Sequence, residues 1–190
     1  MKITLRRINL FSPDYFKISH LYKTAFPADE RAPLTVLTYK ADRENVDFWG
    51  LYADDRWIGL AYAISENDLT YLFYLALSED VRGKGLGSKA LRALMKYYEG
   101  NRFYIALERL DPSAENINER IRRRQFYLKN GLKPINRTIR EASVVYDVMS
   151  TGDIKPEEYN RMMRNYLGKR VGRLVEMNDV EWIVPRGTNL

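Results

Sequence analysis

A glycine-rich segment in the middle of the chain contains the residue types of an anion-binding loop. Residues 75–88 read Leu-Ala-Leu-Ser-Glu-Asp-Val-Arg-Gly-Lys-Gly-Leu-Gly-Ser. Glycine takes positive φ readily and has no Cβ, so consecutive backbone N–H groups of such a segment can converge on a bound oxyanion at the start of a helix. Two basic side chains add positive charge beside the glycines. The residues assigned to this predicted anion site are Arg82, Gly83, Lys84, Gly85, Leu86, Gly87 and Ser88.

The elements on either side of the loop fit this chemistry. Leu69 to Leu77 is an apolar, aromatic-rich run that is typical of a strand. After the glycines, apolar residues recur at helical spacing from Ala90 to Tyr98, with basic residues on the opposite side. Strand, loop and helix are therefore predicted to follow one another directly.

Two other phosphate-binding designs share these features and are excluded. A P-loop requires Gly-Lys-Ser or Gly-Lys-Thr, and the sequence contains neither. A dinucleotide-binding fold is the closer rival, because Glu108 follows the glycines by about 20 residues, where that fold carries its ribose-binding acid. The Gly-x-Gly-x-Gly spacing found here differs from that of the dinucleotide fold. Too few residues also follow Glu108 to complete that fold and a substrate domain.

The pattern Arg82-x-x-Gly85-x-Gly87 resembles the acyl-coenzyme-A-binding motif of the GNAT superfamily of N-acyltransferases, Arg/Gln-x-x-Gly-x-Gly/Ala. A second segment, residues 122–132, reads Arg-Arg-Arg-Gln-Phe-Tyr-Leu-Lys-Asn-Gly-Leu. It is similar to the family's other signature, in which a tyrosine stands four residues before a Gly-Phe pair; here Leu132 replaces the phenylalanine. The resemblance covers about residues 1–150 and rests on the order of the two motifs and the gap between them.

The resemblance implies an α/β fold of the mixed, α+β-like kind. Its central sheet would have about seven strands, mostly antiparallel, with one parallel β-α-β crossover that forms the acyl-coenzyme A cleft. Residues 1–150 would be the catalytic domain, and residues 151–190 a C-terminal helical extension and tail packed on the same domain. Acetyl-coenzyme A would be the co-substrate, and a primary amine would attack it directly in a ternary complex.

The resemblance also assigns roles to single residues. Leu75 and Leu77 would pair with the pantetheine arm as a neighbouring strand does, and Leu77 is the position proposed to stabilise the tetrahedral oxyanion. Tyr127 matches the general acid that protonates the leaving thiolate. It shares a helical face with Arg120 and Arg123, which predicts a phenol pKa near ~10 or lower. Asn116, expected with Glu119 to cap the following helix, is also assigned to the cofactor site.

An attacking amine must lose a proton, because an alkyl ammonium has a pKa near ~10.4. Glu108, near the end of the fifth predicted strand, is the preferred base because that strand end should lie against the fourth. Glu79, which precedes the glycine loop, and Glu30, in a charged loop between two prolines, stay open as alternatives. The competing interpretation of Glu108 is an ordinary exposed or ion-paired carboxylate. For the loop that carries Glu30 it is a solvated connector, and for Tyr127 it is core packing.

Composition limits the remaining functions. The chain is 45% hydrophobic and 29% charged, and it shows neither an apolar run of the ~20 residues needed to span a membrane nor a signal-peptide core, so we expect a cytoplasmic protein without a membrane partner. It contains no cysteine, which excludes a cysteine acyl-enzyme and a thiolate metal site. With a single His20, no metal is expected.

The net charge of +6 does not by itself indicate nucleic acid. The dense basic run of Arg120 and residues 122–124 is explained equally well by a solvated helix face or by a polyphosphate ligand, and it lacks the interleaved aromatic residues of a single-strand platform. The leading hypothesis is thus an N-acetyltransferase, monomeric or homodimeric, for a small-molecule or peptide amine. The alternative is an acyl-coenzyme-A-binding sensor or interaction module without turnover, with nucleic-acid binding a distant third.

Along the chain, apolar runs and turn residues predict these further elements. Strands are expected at Lys2 to Ile8, Val46 to Ala53, Trp57 to Ile64, Phe103 to Leu107, Leu132 to Glu141, Ser143 to Ser150 and, beyond the last helix, Val180 to Val184. Helices are expected around Tyr15 to Ala25, Leu34 to Ala41, Asn116 to Asn130 and Tyr159 to Leu167.

Overall fold

The computed structural model describes residues 1–141, 144–168 and 171–179. Eight strands form one sheet: β1 (Ile3–Arg7), β2 (Val46–Ala53), β3 (Arg56–Glu66), β4 (Leu69–Leu77), β5 (Arg102–Glu108), β6 (Lys133–Glu141), β7 (Val144–Ser150) and β8 (Val175–Asp179). Five α-helices pack on it: α1 (Tyr15–Ala25), α2 (Leu34–Lys40), α3 (Leu86–Tyr97), α4 (Ile117–Lys129) and α5 (Pro156–Leu167). Short 3-10 turns occupy Ala28–Glu30, Glu79–Val81 and Val171–Arg173.

The sheet has the order β1-β2-β3-β4-β5-β7-β6-β8. The pair β4–β5 is parallel and is joined by the α3 crossover, while the other neighbouring strands are antiparallel. This confirms the predicted mixed, mostly antiparallel sheet. The sheet has eight described strands rather than about seven, because β8 adds to the outer edge of β6. The strand predicted at Val180 to Val184 lies outside the described residues.

Both faces of the sheet are covered, because alternate residues of the central strands are apolar on both sides. The first core lies under α1, α2 and α5 and includes Leu60, Tyr62 and Tyr104. The second lies under α3 and α4 and includes Leu72, Leu91 and Phe103. In α3 the buried residues Ala90, Leu91 and Leu94 form one stripe, as the sequence spacing predicts.

Strand β4 carries a β-bulge at Phe73. The partner of Tyr62 is Tyr74 and the partner of Ala63 is Leu72, so Phe73 is the extra residue. As a result Phe73 and Tyr74 both face the first core, whereas Leu72 and Leu75 face the second. The parallel pairing of β4 with β5 ends at Tyr71, two residues before the bulge.

The C-terminal residues complete the fold. Tyr159, Met162, Met163 and Tyr166 of α5 are buried against the first core, and β8 pairs with β6 along its whole length. In the part of the chain that the structure describes, no helix has the length and apolar character needed to cross a membrane.

Candidate active site

A cleft opens where β4 and β5 separate. Their parallel pairing covers only Leu69 to Tyr71 against Arg102 to Tyr104. Beyond these pairs a cavity of about 430 Å³ lies between the strands, with walls from both faces of the sheet. Residues of β4, β5, α4, the end of β6 and the loop after α1 line it. The predicted cleft therefore exists, and it connects one side of the sheet to the other.

The glycine loop has the predicted backbone geometry at two of its three glycines. Gly83 and Gly85 have φ of 76° and 73°, values that side chains with a Cβ rarely adopt. Gly87 was expected to have the same freedom, but it lies in the first turn of α3 and its role is packing. A Cβ on Gly87 would stand 3.2 Å from a ring carbon of Phe126 and 3.3 Å from a methyl carbon of Leu77. Gly87 thus lets α3 approach α4 and β4.

Helix α3 presents its free N-terminal amides at this loop. Its first intrahelical bond runs from the Lys89 N–H to the Gly85 carbonyl, so the N–H groups of Leu86, Gly87 and Ser88 precede it, and no side chain caps them. The Ser88 hydroxyl accepts a hydrogen bond from Asn130 at 3.0 Å. These amides, together with the positive end of the helix dipole, suit a phosphate or pyrophosphate.

The two basic side chains of the loop bind its own backbone. Arg82 donates to the Leu77 carbonyl at 3.2 Å, and Lys84 donates to the Asp80 carbonyl at 2.8 Å. They brace the loop against the end of β4 and leave their charge beside the α3 N-terminus. Leu75 and Leu77 pack against the second core, so their side chains point toward α3 and α4.

The backbone irregularity of β4 lies at Phe73, four residues before Leu77. The predicted oxyanion role of Leu77 stays a prediction. Of the carboxylate candidates, Glu108 and Glu30 line the cavity, while Glu79 is exposed and pairs with Arg82 at 3.8 Å.

Tyr127 lies on the inner face of α4 and lines the cavity. It is 8% exposed, and burial raises the pKa of its phenol to about 12 although Arg123 lowers it. The expected pKa of ~10 or lower is therefore wrong, because desolvation of the phenolate outweighs the nearby guanidinium. Tyr127 stays protonated at every ordinary pH and can donate a hydrogen bond to a sulfur in the cavity.

Glu108 ends β5 and holds α4 in place through two ion pairs. Arg120 Nη2 lies 2.8 Å from its Oε1, and Arg123 Nη1 lies 3.0 Å from its Oε2. Arg124 of the same run pairs with Asp147 on β7. The basic run thus makes ion pairs with the sheet, in agreement with the competing interpretation of Glu108 as an ion-paired carboxylate. Neither of the two interpretations of the run itself includes these ion pairs. The role of Glu108 as a base stays a prediction. A proton taken up by Glu108 would compete with two guanidinium groups for its carboxylate oxygens.

Asn116 stands at the start of α4 but does not cap it. Its side-chain oxygen accepts a hydrogen bond from Arg120 Nε at 2.7 Å, and no side-chain cap is formed. The predicted capping pair with Glu119 is therefore wrong, because Arg120 takes the oxygen that would have capped the helix. Asn116 nevertheless lines the cavity.

One cavity carboxylate was missed by sequence reasoning. Glu141 is the last residue of β6, and its side chain lines the cavity. Its pKa is raised to about 7, mainly by burial and further by the negative charge of Glu30, against a hydrogen bond from Tyr71 that lowers it. The sequence feature that indicates its position is its spacing of two residues from Ile139, which places both side chains on the inner face of one strand. In the part of the chain described, no group of three or more His, Asp or Glu side chains could hold a metal ion.

A family model described as the acetyltransferase (GNAT) family matches residues 14–131, which is more than half of the chain. The chain belongs to the GNAT family of acetyltransferases. The matched residues begin at the N-terminus of α1 and end at the glycine that follows α4. They therefore include the glycine loop, the separated strands and Tyr127. No curated protein sequence matches the chain.

Solved structures of GNAT acetyltransferases share the fold. A putative acetyltransferase from Bacteroides thetaiotaomicron is 22% identical, with a TM-score of 0.66 over 88% of this chain and 97% of that chain. The ribosomal-protein-S18-alanine N-acetyltransferase from Escherichia coli is 17% identical, with a TM-score of 0.56 over 78% and 92%. A GNAT acetyltransferase from Elizabethkingia anophelis, solved with acetyl-CoA bound, is 12% identical, with a TM-score of 0.55 over 80% and 99%. The GNAT fold thus extends over most of this chain.

Proposed function

We propose that this GNAT acetyltransferase transfers an acetyl group from acetyl-coenzyme A to a primary amine by direct attack in a ternary complex. The observation that carries the proposal is the continuity of two features. The free amides at the α3 N-terminus follow β4 across the loop of residues 78–85, and β4 forms one wall of the cavity that Tyr127 lines. A structural relative carries acetyl-CoA, which supports the same co-substrate here.

The residues present fit that co-substrate. Gly83 and Gly85 allow the backbone to turn toward a pyrophosphate, and the α3 amides with Arg82 and Lys84 offset its charge. The edge of β4 that faces the cleft can pair with the amide groups of a pantetheine arm near Leu75 and Leu77, as a neighbouring strand would. This arrangement would direct the thioester into the cavity between β4 and β5.

The chemistry within the cavity follows from the same side chains. The amine nitrogen forms a bond to the thioester carbonyl carbon, and the carbon–sulfur bond then breaks. Tyr127 donates a hydrogen bond to the departing sulfur, and a carboxylate of the cavity takes a proton from the amine. The sequence contains no cysteine to form a thioester acyl-enzyme, which supports direct transfer.

Two measurements test the proposal. Calorimetry should show binding of acetyl-coenzyme A, and release of free thiol should depend on an amine from a panel that contains 2-phenylethylamine, spermidine and a lysine-containing peptide. Binding without amine-dependent thiol release across the panel would favour a sensor that lacks turnover. An absence of binding would overturn the proposal.

A further inference from the structure

Glu141 occupies the cavity from the side of the sheet opposite to α3 and α4. Glu141 lies two residues after Ile139 on β6, so both side chains lie on the same face of the strand. Ile139 is buried in the first core, under α1 and α5. Tyr127, in contrast, belongs to the second core under α3 and α4. Because both side chains line the same cavity, a molecule that enters from the Glu141 side meets one that enters from the loop side at the opening between β4 and β5.

The Glu141 carboxylate is partly without hydrogen-bond partners. Its Oε1 is buried and accepts no hydrogen bond from any described residue. The hydroxyls of Tyr104 and Tyr159 are buried without a partner in the same sense. Buried polar atoms without partners are rare in folded proteins, and they mark positions where a ligand or water completes the hydrogen bonding. A cationic ligand would satisfy Oε1 directly.

The groups that face Glu141 are acidic or phenolic. They come from β4, β5, α5 and the turn before α2, and comprise Tyr71, Tyr74, Tyr104, Tyr159 and Glu30. This setting differs from that of Glu108, whose two oxygens each accept an ion pair from an arginine. Because Oε1 of Glu141 has no hydrogen-bond partner among the described residues, it is available to bind an ammonium group.

Aromatic rings complete this side of the cavity. Phe26 and Phe73 pack edge-on against Tyr74, with ring centroids 4.8 Å and 4.6 Å from that of Tyr74. All three line the cavity. Aromatic faces attract cations and also cover apolar surface, so an ammonium group attached to an apolar body fits this wall.

We propose that Glu141 binds the ammonium group of the acceptor and takes its proton. The proposal rests on the proposed acetyltransferase function and names the base of that reaction. The ammonium gives one proton to Glu141, which passes it to solvent. The nitrogen then attacks the thioester carbon and loses a second proton as the carbon–sulfur bond breaks, and the departing sulfur gains one proton.

The titration of Glu141 agrees with this role. Burial and Glu30 raise its pKa to about 7, so the carboxyl group can take up and release a proton near neutral pH. The profile of kcat/KM against pH reports the groups of the free enzyme and the free amine. If the ammonium form binds to ionised Glu141, kcat/KM should rise through pH 7 and then stay level up to the amine's own pKa near ~10.

The decisive experiment compares the profiles of the parent, E141Q and E108Q with the best acceptor of the amine panel. In E141Q we expect a loss of kcat/KM of about 10²-fold at pH 7. The remaining kcat/KM should rise with pH up to the amine pKa, without the separate rise, or limb, that the parent shows near pH 7. E108Q should retain a limb near pH 7 whatever its rate. Unchanged affinity of E141Q for acetyl-coenzyme A would show that the variant is folded.

Two further variants should shift the pH of the limb, at which kcat/KM rises, in opposite directions. Tyr71→Phe removes a hydrogen bond that lowers the Glu141 pKa, so the limb should shift to higher pH. Glu30→Gln removes a charge that raises it, so the limb should shift to lower pH. A purely structural role for Glu141 would leave the position of the limb unchanged in both.

The outcomes separate this inference from the proposed function. A limb near pH 7 that persists in E141Q, or that disappears in E108Q, would overturn the role of Glu141 while the enzyme remains an acetyltransferase. A parent that releases thiol with no amine of the panel would overturn both proposals.

Discussion

At the scale of single residues, burial decides what Tyr127 can do. With a pKa of about 12, its phenol is fully protonated wherever the enzyme is stable, so it acts as a hydrogen-bond donor. Complete transfer of its proton to a free thiolate of pKa ~8.5 would be unfavourable by about 3.5 pKa units, or roughly 5 kcal/mol. Stabilisation of the sulfur while the bond breaks is the stronger role.

Tyr127→Phe should therefore lower kcat by about 10²-fold with little change in the affinity for acetyl-coenzyme A, because only the hydroxyl is lost. In the profile of kcat against pH, deprotonation of the phenol should cause no fall up to about pH 11 in the parent, and none in the variant. Tyr39→Phe, which changes a 74% exposed tyrosine, is the matched control and should keep full activity. Equal kcat values for the parent and the Tyr127 variant, measured where chemistry limits turnover, would reduce Tyr127 to a packing residue.

The two carboxylates show where residue-level prediction ends. Glu108 was placed beside the cleft by its strand, and it does line the cavity. Its two arginine partners depend on how α4 is oriented over β5, which the sequence does not encode locally. Glu141 was seen only as the end of a strand. Its pKa depends on burial and on the distant residues Glu30 and Tyr71, which the fold brings close to it.

At the scale of elements, the glycine loop and α3 form the proposed phosphate-binding unit. A substitution at Gly85 tests this role. Gly85→Val should abolish detectable binding of acetyl-coenzyme A, because the branched side chain would stand at the N-terminus of α3 where the phosphate approaches. Gly100→Val is a close control. Both glycines have positive φ, 73° and 98°, and a Cβ on either would meet nothing within 4 Å.

The strain of a Cβ at positive φ, about 1–2 kcal/mol, should therefore affect both variants alike. Calorimetry should separate them, since only Gly100→Val should bind. If both variants bound acetyl-coenzyme A with parental affinity, the loop would not be the phosphate site.

Gly87 tests packing between elements and not contact with a phosphate. In Gly87→Ala the new methyl group would lie 3.2 Å from Phe126 and 3.3 Å from Leu77, so these two side chains must shift by a few tenths of an ångström. We expect the free energy of unfolding to fall by about 1–3 kcal/mol, as in overpacked cores. Denaturant unfolding measures it, and a Phe126→Leu change in the same chain should recover part of the loss. An unchanged stability would show that the contact relaxes freely.

Most elements were predictable because their patterns are local. The bounds of β2 and β4 agree with the predicted runs, since both are apolar stretches ended by turn residues. Strand β8 was missed because its sequence, Val-Glu-Met-Asn-Asp, has a single buried residue, Met177. It becomes a strand by pairing with the free edge of β6, which is a tertiary effect.

At the scale of the whole molecule, the C-terminal residues belong to the same structural unit as the cleft. The α5 side chain of Tyr166 hydrogen-bonds to Tyr62 on β3 at 3.0 Å, and β8 covers the edge of the strand that ends in Glu141. We therefore propose that residues 151–168 and 171–179 complete the catalytic domain formed by residues 1–150. The helical spacing of the apolar residues in α5 predicts a packing face on this helix. The strands that it packs against could be identified only from the three-dimensional structure.

One ion-pair network joins distant parts of this unit and should set its stability in acid. Arg102, at the start of β5, donates two hydrogen bonds of 2.9 Å to Glu158 on α5 and two of 2.8 Å to Asp68 before β4. The hydrogen bonds from Arg102 lower the pKa of Glu158 to about 2. The network thus connects the parallel pair of strands to the C-terminal helix.

Because the pKa of Glu158 is lower in the folded state than its ordinary value near ~4.3, its contribution is present above that value and is lost as the pH falls toward 2. Glu158→Gln should reduce the free energy of unfolding at pH 7 by on the order of 1–3 kcal/mol, the range for hydrogen bonds to charged groups. The difference from the parent should shrink steadily below pH 4.5. Glu157→Gln, which removes the neighbouring exposed carboxylate, should follow the parent across the whole range. Urea unfolding at a series of pH values would measure this, and a difference between parent and Glu158→Gln that stays constant down to pH 2 would contradict the assigned role of Arg102.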